Sequence, residues 1–109
     1  MKVFPHAMRY AGFFASAWLA SGGAANAQTA QNLRQQSLAA TCAACHGTQG
    51  RSAPGAVMPR LAGLPRDYLL AQILAFRDGT RVATVMQQIA KGYSAEQIDA
   101  LAAYFAAQK

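Results

Sequence analysis

The chain has 109 residues, with ten Lys and Arg against four Asp and Glu, which gives a net charge of +6. Its basic residues are scattered rather than clustered, which argues against a nucleic-acid-binding surface. This length allows one domain. A domain so small buries a marginal core, so a covalent or metal staple is expected.

The first 27 residues have the pattern of a secretory signal peptide. Its first nine residues include Lys2 and Arg9 and no acidic residue. A short apolar run follows at 11–20, and the segment ends in the triplet A-N-A. The run is shorter than the roughly 20 apolar residues of a membrane-spanning helix, and the alternative is a retained N-terminal anchor. We therefore predict a signal peptide over residues 1–27, export to the periplasm, and one domain over residues 28–109 with a net charge of +4 and no membrane span.

The segment after the predicted cleavage site favours helices and has no strand pattern. Gly and Pro residues are dense between positions 46 and 65, which predicts a long loop. Ser94 and Gln97 have the spacing of a capping box at the start of a helix. Helices are predicted over residues 31–45, 66–77 and 94–107, with a helical turn or two within 82–91.

Residues 42–46 read C-A-A-C-H, which is the signature of covalent c-type haem attachment. Two thiols three residues apart on one helical turn can each add to a vinyl group of the same porphyrin. The next residue, His46, then lies under the iron and supplies its proximal nitrogen. We predict that Cys42 and Cys45 bind one haem c covalently. The two thioether bonds would then be the covalent staple that so small a domain needs.

Three other interpretations of the cysteines are open. A zinc site needs four ligands, and the predicted domain has no Cys or His beyond Cys42, Cys45 and His46. A thioredoxin-like redox pair would accompany a βαβ pattern, and no strand is predicted. A plain disulfide would leave His46 unexplained.

The second axial ligand of the iron should be a thioether or a nitrogen. His6 lies in the predicted signal peptide, which leaves Met58 and Met86. Met58 precedes Pro59, whose carbonyl is well placed to accept the Nδ1–H of His46, so Met58 falls on the proximal side. Met86 follows a whole helix and has room to reach the opposite face; the alternatives are a core methionine and a vacant sixth site. Two protein ligands leave no place for a substrate, which favours electron transfer over catalysis at the iron.

These residues resemble the class I cytochromes c, over nearly all of residues 31–109. The resemblance includes CAACHG, the loop sequence PRLAG at 59–63, the middle helix, the Met86 segment and LAAYF at 101–105. It implies an all-α class I cytochrome c fold, a small helical domain wrapped around one haem, in which the first and last helices cross.

A narrower resemblance lies in TVMQQIAKGYS at 84–94, which looks like the haem domain of the cytochrome subunit of flavocytochrome c sulfide dehydrogenase. In that family a flavoprotein subunit oxidises sulfide and passes electrons to the cytochrome. The resemblance implies an electron-transfer subunit without catalytic residues of its own, placed between a flavoprotein and a downstream redox protein. Many cytochrome subunits of that family have two haem domains, whereas this chain has one.

Two alternatives to that function remain open. The first is a freely diffusing mono-haem carrier between respiratory complexes. The second is a ligand-binding or catalytic haem with an open sixth site, which requires that Met86 is not a firm ligand.

Overall fold

The structure is a computed structural model that describes residues 21–109, with side chains described for Ala27 and from Thr29 onward. Lys2, Arg9 and the apolar run of the predicted signal peptide lie outside the described residues. The described chain consists of α1 (Ser21–Ala40), α2 (Ala43–His46), a 3₁₀ turn (Thr48–Gly50), α3 (Arg66–Asp78), α4 (Met86–Lys91) and α5 (Ala95–Ala106). No strand occurs in this part of the chain, and none of its helices is long and apolar enough to cross a membrane.

The predicted helix over residues 31–45 is interrupted just before the cysteines. α1 ends at Ala40, and α2 begins at Ala43. The Thr41 hydroxyl donates to the carbonyl of Leu38 at 2.7 Å, and a threonine that bonds the preceding turn in this way bends a helix. The helix is therefore interrupted at Thr41, and Cys45 lies on a separate, short helix of which Cys42 is the N-cap residue.

The long loop after α2 is pinned at two points. The Gly50 carbonyl accepts from the amides of Leu61 and Ala62, at 2.9 and 3.1 Å. The Gly63 amide donates to the carbonyl of Phe105 in α5 at 2.9 Å. The bonds to Gly50 close the loop on itself, and the bond to Phe105 holds its end against α5.

Local signals set the ends of the later helices. α3 stops at Gly79, whose left-handed φ of 81° suits glycine. The predicted capping box of α5 is confirmed. The backbone N–H of Gln97 donates to the Ser94 hydroxyl, and the backbone N–H of Ser94 donates to the side-chain carbonyl oxygen of Gln97.

The core lies where α1, α3 and α5 meet. α3 packs against both α4 and α5, and α1 packs against α5. The central cluster consists of Ala39, Leu69, Leu101, Ala102 and Phe105. The described residues thus agree with the predicted all-α class, and the helices leave one side of this core open.

Gly50 is expected to tolerate no side chain. Its φ is +74°, and a Cβ would lie 2.7 Å from Cδ1 of the buried Phe105. Gly50→Ala should lower the free energy of unfolding by about 2–4 kcal/mol, because the left-handed backbone would strain an alanine and its Cβ would press against the Phe105 ring. Gly55→Ala is the matched control: its φ is +80° with nothing within 4 Å, so strain alone should cost about 1 kcal/mol. Equal losses in denaturant unfolding would contradict the packing argument.

Removal of the Ser94 cap should have a pH-dependent cost. The Ser94 hydroxyl donates to Glu96, and this bond lowers the pKa of that carboxyl below its usual value. A lowered folded-state pKa adds stability above the unfolded pKa, and the gain is lost as pH falls through the folded pKa. Ser94→Ala should therefore cost about 1 kcal/mol at neutral pH and less at low pH.

Denaturant unfolding of the unaltered protein and of Ser94→Ala, at neutral pH and at about pH 3, checks this, because the ordinary pKa of a glutamate lies between these two pH values. Glu96→Gln provides the control background: it keeps the cap, so there Ser94→Ala should cost the same at both pH values. If Ser94→Ala costs the same stability at both pH values even in the protein that retains Glu96, the Glu96 carboxylate plays no part.

Candidate functional site

A cavity of about 410 Å³ lies on the open side of the core, between the α1–α2 turn, the loop after α2, and helices α3, α4 and α5. This volume is in the range of small-molecule and cofactor sites. The walls are largely apolar and include Leu61, Leu64, Leu69, Ile73, Phe76, Leu101 and Phe105.

Cys42 and Cys45 both line this cavity as free thiols, not as a disulfide. Burial raises the pKa of the Cys42 thiol, and the nearby Cys45 adds to this rise. Cys45 is the more exposed of the two. In residues 21–109 no three His, Cys, Asp or Glu side chains are grouped so that they could hold a metal ion.

His46 is buried, with only 7 % of its surface exposed, and it lines the same cavity. Its Nδ1 lies 2.8 Å from the carbonyl oxygen of Pro59. A carbonyl can only accept, so Nδ1 carries the proton and donates, which leaves Nε2 with a free lone pair. An imidazole oriented in this way is ready to ligate a metal through Nε2.

Both candidate methionines reach the cavity, from different elements. Met86 is the first residue of α4 and is half-buried. Met58 is 43 % exposed and belongs to the loop segment whose Pro59 carbonyl holds His46. Met86 is therefore supplied by a helix that is separate from the His46 segment, whereas Met58 is tied to it.

Two arginines at the cavity lack a carboxylate partner among the described residues. Arg81 lies with its guanidinium 4.5 Å from the centre of the Phe76 ring, and it donates to the Gln72 side chain. Arg60 donates to the Ala62 carbonyl at 3.2 Å. Arg60 belongs to the loop after α2, and the packing of α3 against the following segment brings Arg81 to the cavity.

The residues at the cavity fit a haem. The apolar walls suit a porphyrin face, and the thiols and the free imidazole nitrogen supply the groups for covalent and axial attachment. The two guanidiniums offer charge to the two carboxylates that a haem carries.

Comparisons with known proteins agree with this assignment. The family model for cytochrome c matches residues 33–109. A thiosulfate dehydrogenase electron acceptor from Thiomonas intermedia is 51 % identical over 71 residues, which are 65 % of this chain and 33 % of the relative. The cytochrome subunit of sulfide dehydrogenase from Chlorobaculum tepidum is 40 % identical over 72 residues, 66 % of this chain and 64 % of the relative.

Among solved structures, the cytochrome c4 of Acidithiobacillus ferrooxidans matches with a TM-score of 0.63 and 34 % identity. The match covers 71 % of this chain and 49 % of that one. This chain thus spans one third to about two thirds of the length of these proteins. Together with the helical architecture and the lined cavity, these matches confirm the fold class and the single haem c: the chain belongs to the cytochrome c family, with an all-α class I fold, one covalently attached haem c and a role in electron transfer.

Proposed function

We propose that Cys42 and Cys45 form the two thioethers to the haem, that His46 and Met86 are its axial ligands, and that Pro59 fixes the imidazole. The observation that carries this proposal is the cavity, at which both thiols, the Nε2-bearing ring and the Met86 side chain meet. His46 and Met86 reach it from separate elements, as ligands on opposite faces must.

When bound, the haem supplies a centre that gains or loses one electron at a time. The chain's own residues set how readily this happens. The Pro59 carbonyl accepts from Nδ1 and fixes the tautomer and the orientation of the His46 ring. The Met86 thioether favours reduced iron and raises the potential. The apolar walls would enclose the porphyrin, and Arg60 and Arg81 would supply positive charge for the carboxylates of the haem.

For the electron donor, we propose a dehydrogenase that oxidises an inorganic sulfur compound, and the first candidate is a sulfide-oxidising flavoprotein subunit. The resemblance of residues 84–94 to flavocytochrome c and the 40 % identity to a sulfide dehydrogenase cytochrome subunit support it. A thiosulfate dehydrogenase is the second candidate, favoured by the 51 % identity to an electron acceptor of such an enzyme. The oxidation chemistry takes place on the donor, and this domain passes the electrons to a downstream redox protein.

We place this exchange in the periplasm, with residues 1–27 as the cleaved signal peptide. The basic start, the short apolar run and the A-N-A triplet support export. Thioether attachment at C-x-x-C-H also agrees with an exported chain.

Met86→Ala should convert the ferric haem from low-spin to high-spin and lower its midpoint potential. The drop should be tenths of a volt, a fraction of the roughly 0.8 V range that axial ligands span. Optical spectra and a redox titration of the holoprotein measure both changes. Met58→Ala is the matched control, since Met58 also lines the cavity but should leave the low-spin spectrum intact. A spectrum that is already high-spin in the unaltered protein and does not change in Met86→Ala would instead indicate a ligand-binding haem with an open sixth site.

The donor can be identified by purification of the protein from its native host. Flavin absorbance that co-elutes with the haem bands, with sulfide-dependent haem reduction, is the expected result. A heat-treated fraction controls for direct reduction by sulfide. Thiosulfate-dependent reduction without flavin would replace the first donor with the second. A haem protein that co-elutes with neither activity would favour a freely diffusing carrier and contradict the dehydrogenase proposal.

A further inference from the structure

A hydrogen bond joins two segments that both line the cavity but lie far apart in the chain. The Tyr93 hydroxyl and the Thr41 Oγ1 are 2.7 Å apart, across 52 residues. Thr41 already donates its single hydroxyl proton to the Leu38 carbonyl at 2.7 Å. Tyr93 is therefore the donor and Thr41 the acceptor in this bond.

Each end of the bond is coupled to a proposed haem-binding residue. Thr41 directly precedes Cys42, and its Oγ1 lies 3.8 Å from the Cys42 sulfur. Tyr93 follows α4, and its amide donates to the Ala90 carbonyl in the last turn of that helix at 3.3 Å. Met86 is the first residue of the same six-residue helix. A shift of Tyr93 would thus move the helix that carries the Met86 sulfur.

α4 has few other supports on the cysteine side. It packs chiefly against α3, whereas α2 contacts α1 and the 3₁₀ turn. Tyr93 itself is half-buried and packs against the core cluster. The Tyr93–Thr41 bond consequently links the α4 side of the cavity to the segment that bears Cys42.

We propose that Tyr93 and Thr41 are positioning residues that hold Met86 on the haem iron. This inference rests on the proposed Met86 ligation. A thioether is a weak ligand of ferric iron, so its hold depends on how firmly the protein places it. Loss of the bond should increase the fraction of ferric molecules in which Met86 is detached, and an added ligand then captures that fraction.

The experiment is a titration of the ferric holoprotein with imidazole, which competes with Met86 for the iron. Tyr93→Phe should bind imidazole about five-fold more tightly than the unaltered protein, the fold-change expected from one typical net hydrogen bond. Thr41→Val should show a similar gain. The double variant should show no more than the larger single effect, because both changes remove the same bond. Tyr104→Phe is the control, since Tyr104 does not line the cavity and its hydroxyl has no hydrogen bond within the described residues.

Three results would overturn the proposal. The first is that Tyr93→Phe binds imidazole no more tightly than Tyr104→Phe. If its thermal stability falls while its imidazole affinity stays at that level, Tyr93 supports the fold but does not position Met86. The second is fully additive effects of the two changes, which would mean that they act separately. The third is an unchanged low-spin spectrum for Met86→Ala, in which case the ligation itself fails and the positioning role fails with it. Wild-type imidazole affinity in Tyr93→Phe, beside a high-spin Met86→Ala, would reject the positioning role alone.

Discussion

The apolar cavity beside His46 is the constraint on which the rest of this structure depends. Without the haem, the apolar walls of the cavity would face water instead of a packed partner. The whole free energy of unfolding of a domain is only about 5–15 kcal/mol, so this exposure would weaken the fold. The haem is therefore a core component of the domain as well as its redox centre, and the helices are arranged to enclose it. This explains how a small chain with few fully buried side chains, chiefly Phe105 and Ile98, forms a defined fold.

The same enclosure determines the redox properties. His46 is held by a backbone carbonyl rather than by a titrating side chain, so its orientation does not vary with protonation of a partner. Apolar walls favour the less charged, reduced iron, and the proposed Met86 thioether would act in the same direction. The positive charge at the site comes from Arg60 and Arg81, which belong to the loop and to the segment after α3, outside the apolar walls of the core.

The sequence predicted the parts of the fold that have local signals. The start of α5 follows from Ser94 and Gln97, and the end of α3 follows from Gly79. The break at Thr41 was not predicted, because an alanine-rich segment without Gly or Pro gives no sign that a hydroxyl will bond the preceding turn. The cavity position of Arg81 and the Tyr93–Thr41 bond depend on tertiary packing, which no local pattern encodes. The haem-binding roles of Cys42, Cys45, His46 and Met86, and the signal peptide, stay predictions.

The cavity also bears on how the protein is made. If the haem is attached at Cys42 and Cys45, as proposed, its apolar faces complete a core that the helices leave open on one side. Attachment should then stabilise the packing of α3, α4 and α5 around the cavity. A chain without the haem would open more often and would be cut more readily by proteases.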